Sequence, residues 1–200
     1  MTLRLQIAVT TTVFIVIAAQ APVPGTAQPM EPSVAATDEA RNEPRERFQT
    51  DLPNFHKVHD FLYRGGEPTD AGLEKLKAMG VKTIIDLRGH QDRCAQESRR
   101  AAELNLRYLN LPMSSQSPTP RQIKTFLQEV EEAAHDMEAA PVFVHCAHGS
   151  DRTGCMVGIW RVTHDNWSWD KTYKEMRQYY FNPKFTRLSE AVRQAERERP

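Results

Sequence analysis

The stretch His145-Cys146-Ala147-His148-Gly149-Ser150-Asp151-Arg152-Thr153-Gly154 decides how this chain is read. A short apolar run, Val142-Phe143-Val144, precedes it, and a second one, Cys155-Met156-Val157-Gly158-Ile159-Trp160, follows. That pattern predicts a strand, a tight loop and a buried helix. Five residues separate Cys146 from Arg152, so the loop can curl around one small anion with both groups facing it. Gly149 permits a backbone conformation that other residues resist, and the loop's N–H groups can converge as an anion-binding nest. A helix starting near Arg152 adds the positive end of its dipole. Such surroundings lower the pKa of a thiol, and the thiolate is the nucleophilic form. The stretch predicts a phosphate pocket with a cysteine nucleophile at its base.

The chain before the loop alternates strand and helix signals. Residues 55–58 and 61–64 look like two short strands, interrupted after Arg64 by Gly65-Gly66. Thr69 can cap a helix running to Met79, with Gly80 as its stop. Residues 81–87 are rich in β-branched side chains and read as a central strand, and residues 92–104 as a polar helix. A strand over 106–111 ends at Pro112. Thr119-Pro120-Arg121-Gln122 combines a Thr cap, a first-position Pro and a capping-box Gln; Ile123, Phe126, Leu127 and Val130 form the apolar stripe of the helix it starts. After the loop, one helix opens at Ser168 and another covers roughly 184–197. Strands alternating with helices predict an α/β fold, a central mostly parallel sheet with helices on both faces. In such sheets ligands bind beyond the carboxyl ends of the strands, where Cys146 lies.

The series His145-Cys146, five residues, Arg152-Thr153-Gly154 resembles the phosphate loop of the cysteine-based phosphatases, the protein tyrosine and dual-specificity group. Leu62-Tyr63-Arg64-Gly65-Gly66-Glu67-Pro68 and Ile84-Ile85-Asp86-Leu87-Arg88 are similar to stretches of its atypical subgroup in plants, fungi and bacteria. The resemblance covers roughly Phe55 to Phe181. It implies a tyrosine phosphatase-like fold and hydrolysis of phosphate monoesters through a phosphocysteine intermediate, with no metal and no cofactor. It further implies that Cys146 is the nucleophile, that Arg152 binds two phosphoryl oxygens, and that Thr153 hydrogen-bonds the sulfur. Ala147, His148, Gly149, Ser150, Asp151 and Arg152 then line the substrate, and His145 orients the loop.

The general acid stays open. The family usually places an Asp on a mobile loop before the phosphate loop, yet residues 105–120 hold no Asp or Glu. Asp151 inside the loop is one candidate, although Asp is also a good helix cap. Asp92 is the alternative, while Asp86 reads as structural within Asp-Leu-Arg. Arg88, Arg93, Arg99, Arg100 and Arg107 form either a solvated helix face or a rim for a further phosphate. A zinc site from His145, Cys146 and His148 would lack a fourth ligand and leave Arg152 without a purpose. A sulfurtransferase would also use a loop cysteine but gains nothing from Arg152-Thr153-Gly154. A catalytically weak phosphate-binding module is the non-enzyme rival.

Residues 1–27 carry one charge, Arg4, and an apolar run from Leu5 to Ala19, followed by small residues suited to cleavage. They read as a signal peptide, or, if uncleaved, as a membrane anchor that is short for a span of about 20 residues. Residues 28–51 are rich in Pro, Ala and Glu without periodicity and read as a disordered linker, leaving 52–200 as the catalytic domain. The exported chain has 25 bases against 26 acids, a balance that argues against nucleic acid as partner. Phosphoprotein, phospholipid and inositol phosphate all remain as substrates. Three cysteines do not suggest a disulfide scaffold. Cys155 reads as a core residue, and Cys94 as either an ordinary thiol or a redox partner of Cys146 that protects it in an oxidising compartment.

Overall fold

The computed structural model describes residues 50–199, so the expected signal peptide and all but the last two residues of the expected linker lie outside it. The described elements are β1 (His56–His59), β2 (Leu62–Gly65), α1 (Asp70–Ala78), β3 (Thr83–Asp86), α2 (Gln91–Glu103), β4 (Arg107–Asn110), α3 (Pro120–His135), β5 (Val142–His145), α4 (Asp151–Thr163), α5 (Trp169–Gln178) and α6 (Thr186–Glu198). Local chemistry sets several boundaries. Thr69 accepts from the Gly72 N–H at the start of α1, and Gly80 turns the chain beyond its end at φ 87°. The Thr119–Gln122 capping box starts α3 with Pro120 in its first turn, and Ser168 caps α5. Such caps contribute about 1 kcal/mol each.

The five strands form one sheet in the order β1-β2-β5-β3-β4. Only β1 runs antiparallel to its neighbour; β2, β5, β3 and β4 are parallel. The register sets Gly65 and Asp86 on either side of His145. The three central strands therefore end level with one another where the Cys146 loop begins.

Strand alternation divides the core. Ile84 and Phe143 pack with Leu73, Leu76 and Ala101 from α1 and α2. Ile85, Val142 and Val144 face the opposite side, toward Phe126, Val130, Met156, Ile159, Leu188 and Val192 from α3, α4 and α6. Each such aliphatic side chain, fully buried, contributes about 1.5–3 kcal/mol. Helix α4 is buried almost all round, from Thr153 to Val162, as expected of a helix apolar on every face. Gly158 makes this possible, because a Cβ there would stand 3.1 Å from Val192 of α6. A bulkier residue at 158 would wedge the two helices apart.

Asp51, at the end of the expected linker, is fixed to α1. Its carboxylate accepts from Thr69 Oγ1 at 2.8 Å and from Lys75 at 2.7 Å. Among the described residues no helix is long and apolar enough to cross a membrane.

Candidate active site

The loop after β5 closes around a buried sulfur. Cys146 is 2% exposed at its base. Burial alone pushes the Cys146 thiol up; the Thr153 hydroxyl, the Arg152 charge and the N–H groups of Thr153 and His148 outweigh it and hold the thiol below its ordinary value. A thiol so held reaches the reactive thiolate at lower pH. Gly149 has φ 70°, and a Cβ there would lie 2.4 Å from the Gly65 carbonyl carbon. The loop is thus pressed against the end of β2, and only glycine meets both the left-handed turn and the close approach. Ser150 holds the N-cap position of α4 without a side-chain bond to it, and Thr153 Oγ1 donates back to the Gly65 carbonyl at 3.5 Å. Arg152 is held by a 3.4 Å bond from Nη1 to the Leu87 carbonyl. Ala147 accepts from the Glu67 N–H at 3.2 Å, and His148 is exposed at the mouth.

Asp151 is the first residue of α4, not its cap, with Ser150 in the cap position. The Asn182 N–H donates to its Oδ1 at 2.7 Å. Burial raises the Asp151 carboxyl above its usual value, against the lowering effects of Asn182, His148 and Arg152. A carboxyl raised in this way keeps its proton closer to neutral pH, as a general acid requires. Asp92 is exposed in the first turn of α2. Asp151 lies within the loop itself, whereas Asp92 lies outside it.

Behind the loop lies a buried ion network. Arg88 is fully buried and bonds both carboxylate oxygens of Asp86, at 2.8–3.1 Å, and also Glu97 and Glu67. His145 Nε2 lies 2.9 Å from Glu97, and its Nδ1 faces the Cys146 carbonyl at 3.3 Å. Burial would lower the His145 pKa, but Glu97 and Asp86 raise it overall. Asp86 shows the opposite outcome: burial raises its pKa, yet Arg88, His145 and Tyr108 bring it down to about 2. Asp86, Glu97 and His145 present three ligand atoms within 4.8 Å of one another. The Arg88 guanidinium already bonds both carboxylates, so a cation occupies that set and a metal would meet its repulsion.

The basic stretch is largely neutralised. Arg93 pairs with Glu67, Arg100 with Glu74 and Glu103, and Arg107 with Glu129, while Arg99 is exposed. The solvated-face reading fails for Arg88, which is fully buried among carboxylates, and no cluster of unpaired arginines forms a second phosphate rim among the described residues. All three cysteines are free. Cys94 is buried beside this network, donating to the Arg88 carbonyl with Asn110 against its sulfur, and burial raises its pKa. No contact joins it to Cys146. Cys155 sits in the core, where its thiol donates to the Leu188 carbonyl at 3.3 Å.

Several residues that shape the site carry no motif. Asn54 Nδ2 donates to the carbonyls of His148 and Tyr179, at 3.2 and 3.4 Å. Together with Asn182 it pins the segment after α5 along the loop. Arg64, fully buried, donates to the Gly149 carbonyl at 2.8 Å. Glu97 fixes His145. Glu97 lies in a stretch whose sequence reads only as a polar helix, and its burial comes from the Arg88 guanidinium that it meets.

Comparison with known proteins agrees with this geometry. A dual specificity protein phosphatase, TpbA of Pseudomonas aeruginosa, is 24% identical over 124 residues, covering 62% of this chain and 53% of TpbA. The inositol diphosphatase DSP3 of Arabidopsis thaliana is 31% identical over 111 residues, covering 54% of this chain and 53% of its own. These matches span about half the length of either relative. The crystal structure of P. aeruginosa TpbA superposes with a TM-score of 0.60 at 22% identity, over 70% of this chain and 84% of that one, and shows the same fold. A family model described as a DSP-PTPase phosphatase fused to NAD+ kinase matches residues 47–194. Matched over residues 47–194, the chain belongs to the DSP-PTPase family of cysteine-based phosphatases.

Proposed function

We propose that this protein is an exported phosphatase that hydrolyses phosphate monoesters through a phosphocysteine intermediate, without metal. The observation that carries the proposal is the Cys146 thiol, buried under a converging loop and held toward thiolate by Thr153 and Arg152. The thiolate attacks phosphorus, forming an S–P bond as the ester P–O bond breaks. Arg152 binds the phosphoryl oxygens through its planar fork. The Asp151 carboxylic acid gives its proton to the leaving oxygen. Water then attacks phosphorus and loses a proton to the Asp151 carboxylate, and the S–P bond breaks to return the thiolate and release phosphate. Export rests on the sequence of residues 1–27 and is tested by locating the protein in cell fractions and sequencing its mature N-terminus.

The relatives include a dual specificity protein phosphatase and an inositol diphosphatase. Because the arginines of 88–107 are largely paired with carboxylates, we favour substrates with one accessible phosphate over polyphosphorylated inositols. A panel of phosphopeptides, phospholipids and inositol phosphates ranks these classes. Turnover of p-nitrophenyl phosphate in the presence of a chelator, inhibited by vanadate and abolished in Cys146→Ser, is the expected result. Turnover that survives Cys146→Ser overturns the cysteine mechanism; a wild type that binds vanadate but turns nothing over is a binding module.

A further inference from the structure

Four successive carbonyls of the Cys146 loop each meet a donor from the elements around it. That of Cys146 faces the His145 Nδ1 at 3.3 Å, and that of Ala147 accepts from the Glu67 N–H at 3.2 Å. That of His148 accepts from Asn54 Nδ2 at 3.2 Å, and that of Gly149 from Arg64 Nη2 at 2.8 Å. The loop's peptides are trans, and in a planar trans peptide the N–H leaves on the side opposite the carbonyl. A carbonyl tied outward therefore turns the next residue's N–H inward. One member of the series shows the effect: with the Ala147 carbonyl tied to Glu67, the His148 N–H acts on the Cys146 sulfur. By the same geometry the Asn54 bond turns the Gly149 N–H, and the Arg64 bond the Ser150 N–H, toward the hollow of the nest.

Asn54 stands apart in this set because no motif contains it. It is 3% exposed and has φ 48°, a left-handed conformation that asparagine tolerates better than most residues. Its amide nitrogen serves two carbonyls, those of His148 and, at 3.4 Å, of Tyr179. Its Oδ1 faces His56 Nε2 at 3.1 Å, which fixes the way the amide is turned. Ser150 Oγ also reaches the His148 carbonyl, at 3.4 Å, but Ser150 belongs to the loop and cannot tie it to the rest of the fold. The segment that carries Asn54 is itself seated. The Gly66 N–H donates to the Pro53 carbonyl at 2.7 Å, and the Thr69 N–H to that of Asp51 at 3.1 Å. The residues just before β1 are thus fastened to the end of β2 and the start of α1, and through Asn54 to the loop.

We infer that Asn54 is a positioning residue for anion binding: by holding the His148 carbonyl outward it keeps the Gly149 N–H aimed at the phosphoryl oxygens of the substrate. The inference rests on the proposed phosphatase site, but its test needs no turnover. The probe is inorganic phosphate, titrated calorimetrically into the full chain at a temperature where each variant is folded. Asn54→Asp is nearly isosteric, keeps Oδ1 for His56 and sets a carboxylate oxygen where the donor was. Asn54→Gly keeps the left-handed backbone and removes the amide without adding charge. Both are expected to bind phosphate at least about tenfold more weakly than wild type, the worth of one hydrogen bond to a charged group. In amide NMR spectra the Gly149 N–H of wild type is expected to move downfield when phosphate is added, and to move much less in either variant.

A residue that only supports the fold would lower the melting temperature and leave the phosphate affinity and the Gly149 shift unchanged, and that result overturns the inference. Weaker binding in Asn54→Asp alone would be the work of its added charge and overturns it too. Should neither variant fold, the wild-type spectrum decides: a Gly149 N–H that ignores bound phosphate while the His148 N–H responds overturns the inference, and a response at Gly149 supports it. A wild type that binds no phosphate overturns the phosphate site and this inference together. A wild type that binds phosphate but hydrolyses no ester separates the two, since the comparison with Asn54→Gly still holds.

Discussion

Two fully buried arginines flank β5, and they are held in opposite ways. Arg88, two residues beyond the end of β3, is bound by the carboxylates of Asp86, Glu97 and Glu67. Arg64, on β2, meets one backbone carbonyl and one aromatic ring. The first guanidinium is saturated with negative charge, and its surroundings hold its pKa above an already high value despite burial. The second is depressed by burial. A saturated buried ion is an anchor: it ties β3 to α2 and, through Glu97, fixes the His145 ring. Arg64 instead spends an N–H on the Gly149 carbonyl and so ties β2 to the loop that carries the proposed nucleophile. Side chains on the Arg88 side should therefore govern whether the molecule folds, and those on the loop side whether it reacts.

The largest expected effect lies on the loop side. Cys146→Ser should lower turnover of p-nitrophenyl phosphate by about 10⁴-fold or more, while near-ultraviolet circular dichroism stays that of a packed fold. Loss of the packed signal together with activity would break the division. On the other side, Arg88→Met leaves Asp86 and Glu97 buried without their cation. Breaking a buried ion group in this way costs about 3–5 kcal/mol, read as a lower urea midpoint or as a failure to fold. A stable, inactive Arg88→Met would place Arg88 among the reacting groups instead.

Asp151→Asn comes next and sharpens the loop side. If Asp151 protonates the leaving oxygen, alkyl phosphates should slow by about 10²-fold and aryl phosphates, whose leaving groups need less help, by less. Vanadate binding should change little. Equal losses for both ester types would mean that the Asn182 bond merely holds the loop's shape. The smallest effect concerns Tyr180, beside that clamp. It has φ 66° at the end of α5, where the Phe181 N–H bonds the Met176 carbonyl and the Tyr180 N–H that of Arg177. This is the left-handed position at a helix end where glycine is usual. Tyr180→Gly should relieve the strain and raise stability by about 0.5–1 kcal/mol in urea unfolding. Destabilisation would mean that the tyrosine ring contributes more than its backbone costs.

Much of the fold is legible because its signals are local. Thr69, Thr119 and Ser168 cap helices through N–H groups within three residues of themselves. The central strands β3 and β5 are marked by β-branched residues, and the alternation of strands with helices places β5 inside a parallel sheet. The contacts that complete the site are long-range. Asn54 acts on His148 across 94 residues, Arg64 on Gly149 across 85, and Asn182 on Asp151 across 31. No spacing rule connects such pairs. The arginines of 88–107 show the same limit, since one composition serves equally for an exposed basic face and for a stretch paired off by Glu67, Glu74 and Glu129.

By itself, then, the sequence determined the loop, because a cysteine, a left-handed glycine, an arginine and a helix start must lie within a few residues of one another to enclose one small anion. It also determined the order of strands and helices, whose periodicity and caps are written over single turns. Only the tertiary structure decided which arginines are paired with carboxylates and which meets the loop through a backbone carbonyl. Those outcomes depend on burial and on partners brought together by sheet register, and a charge in a low-dielectric interior is governed by its neighbours in space rather than in the chain.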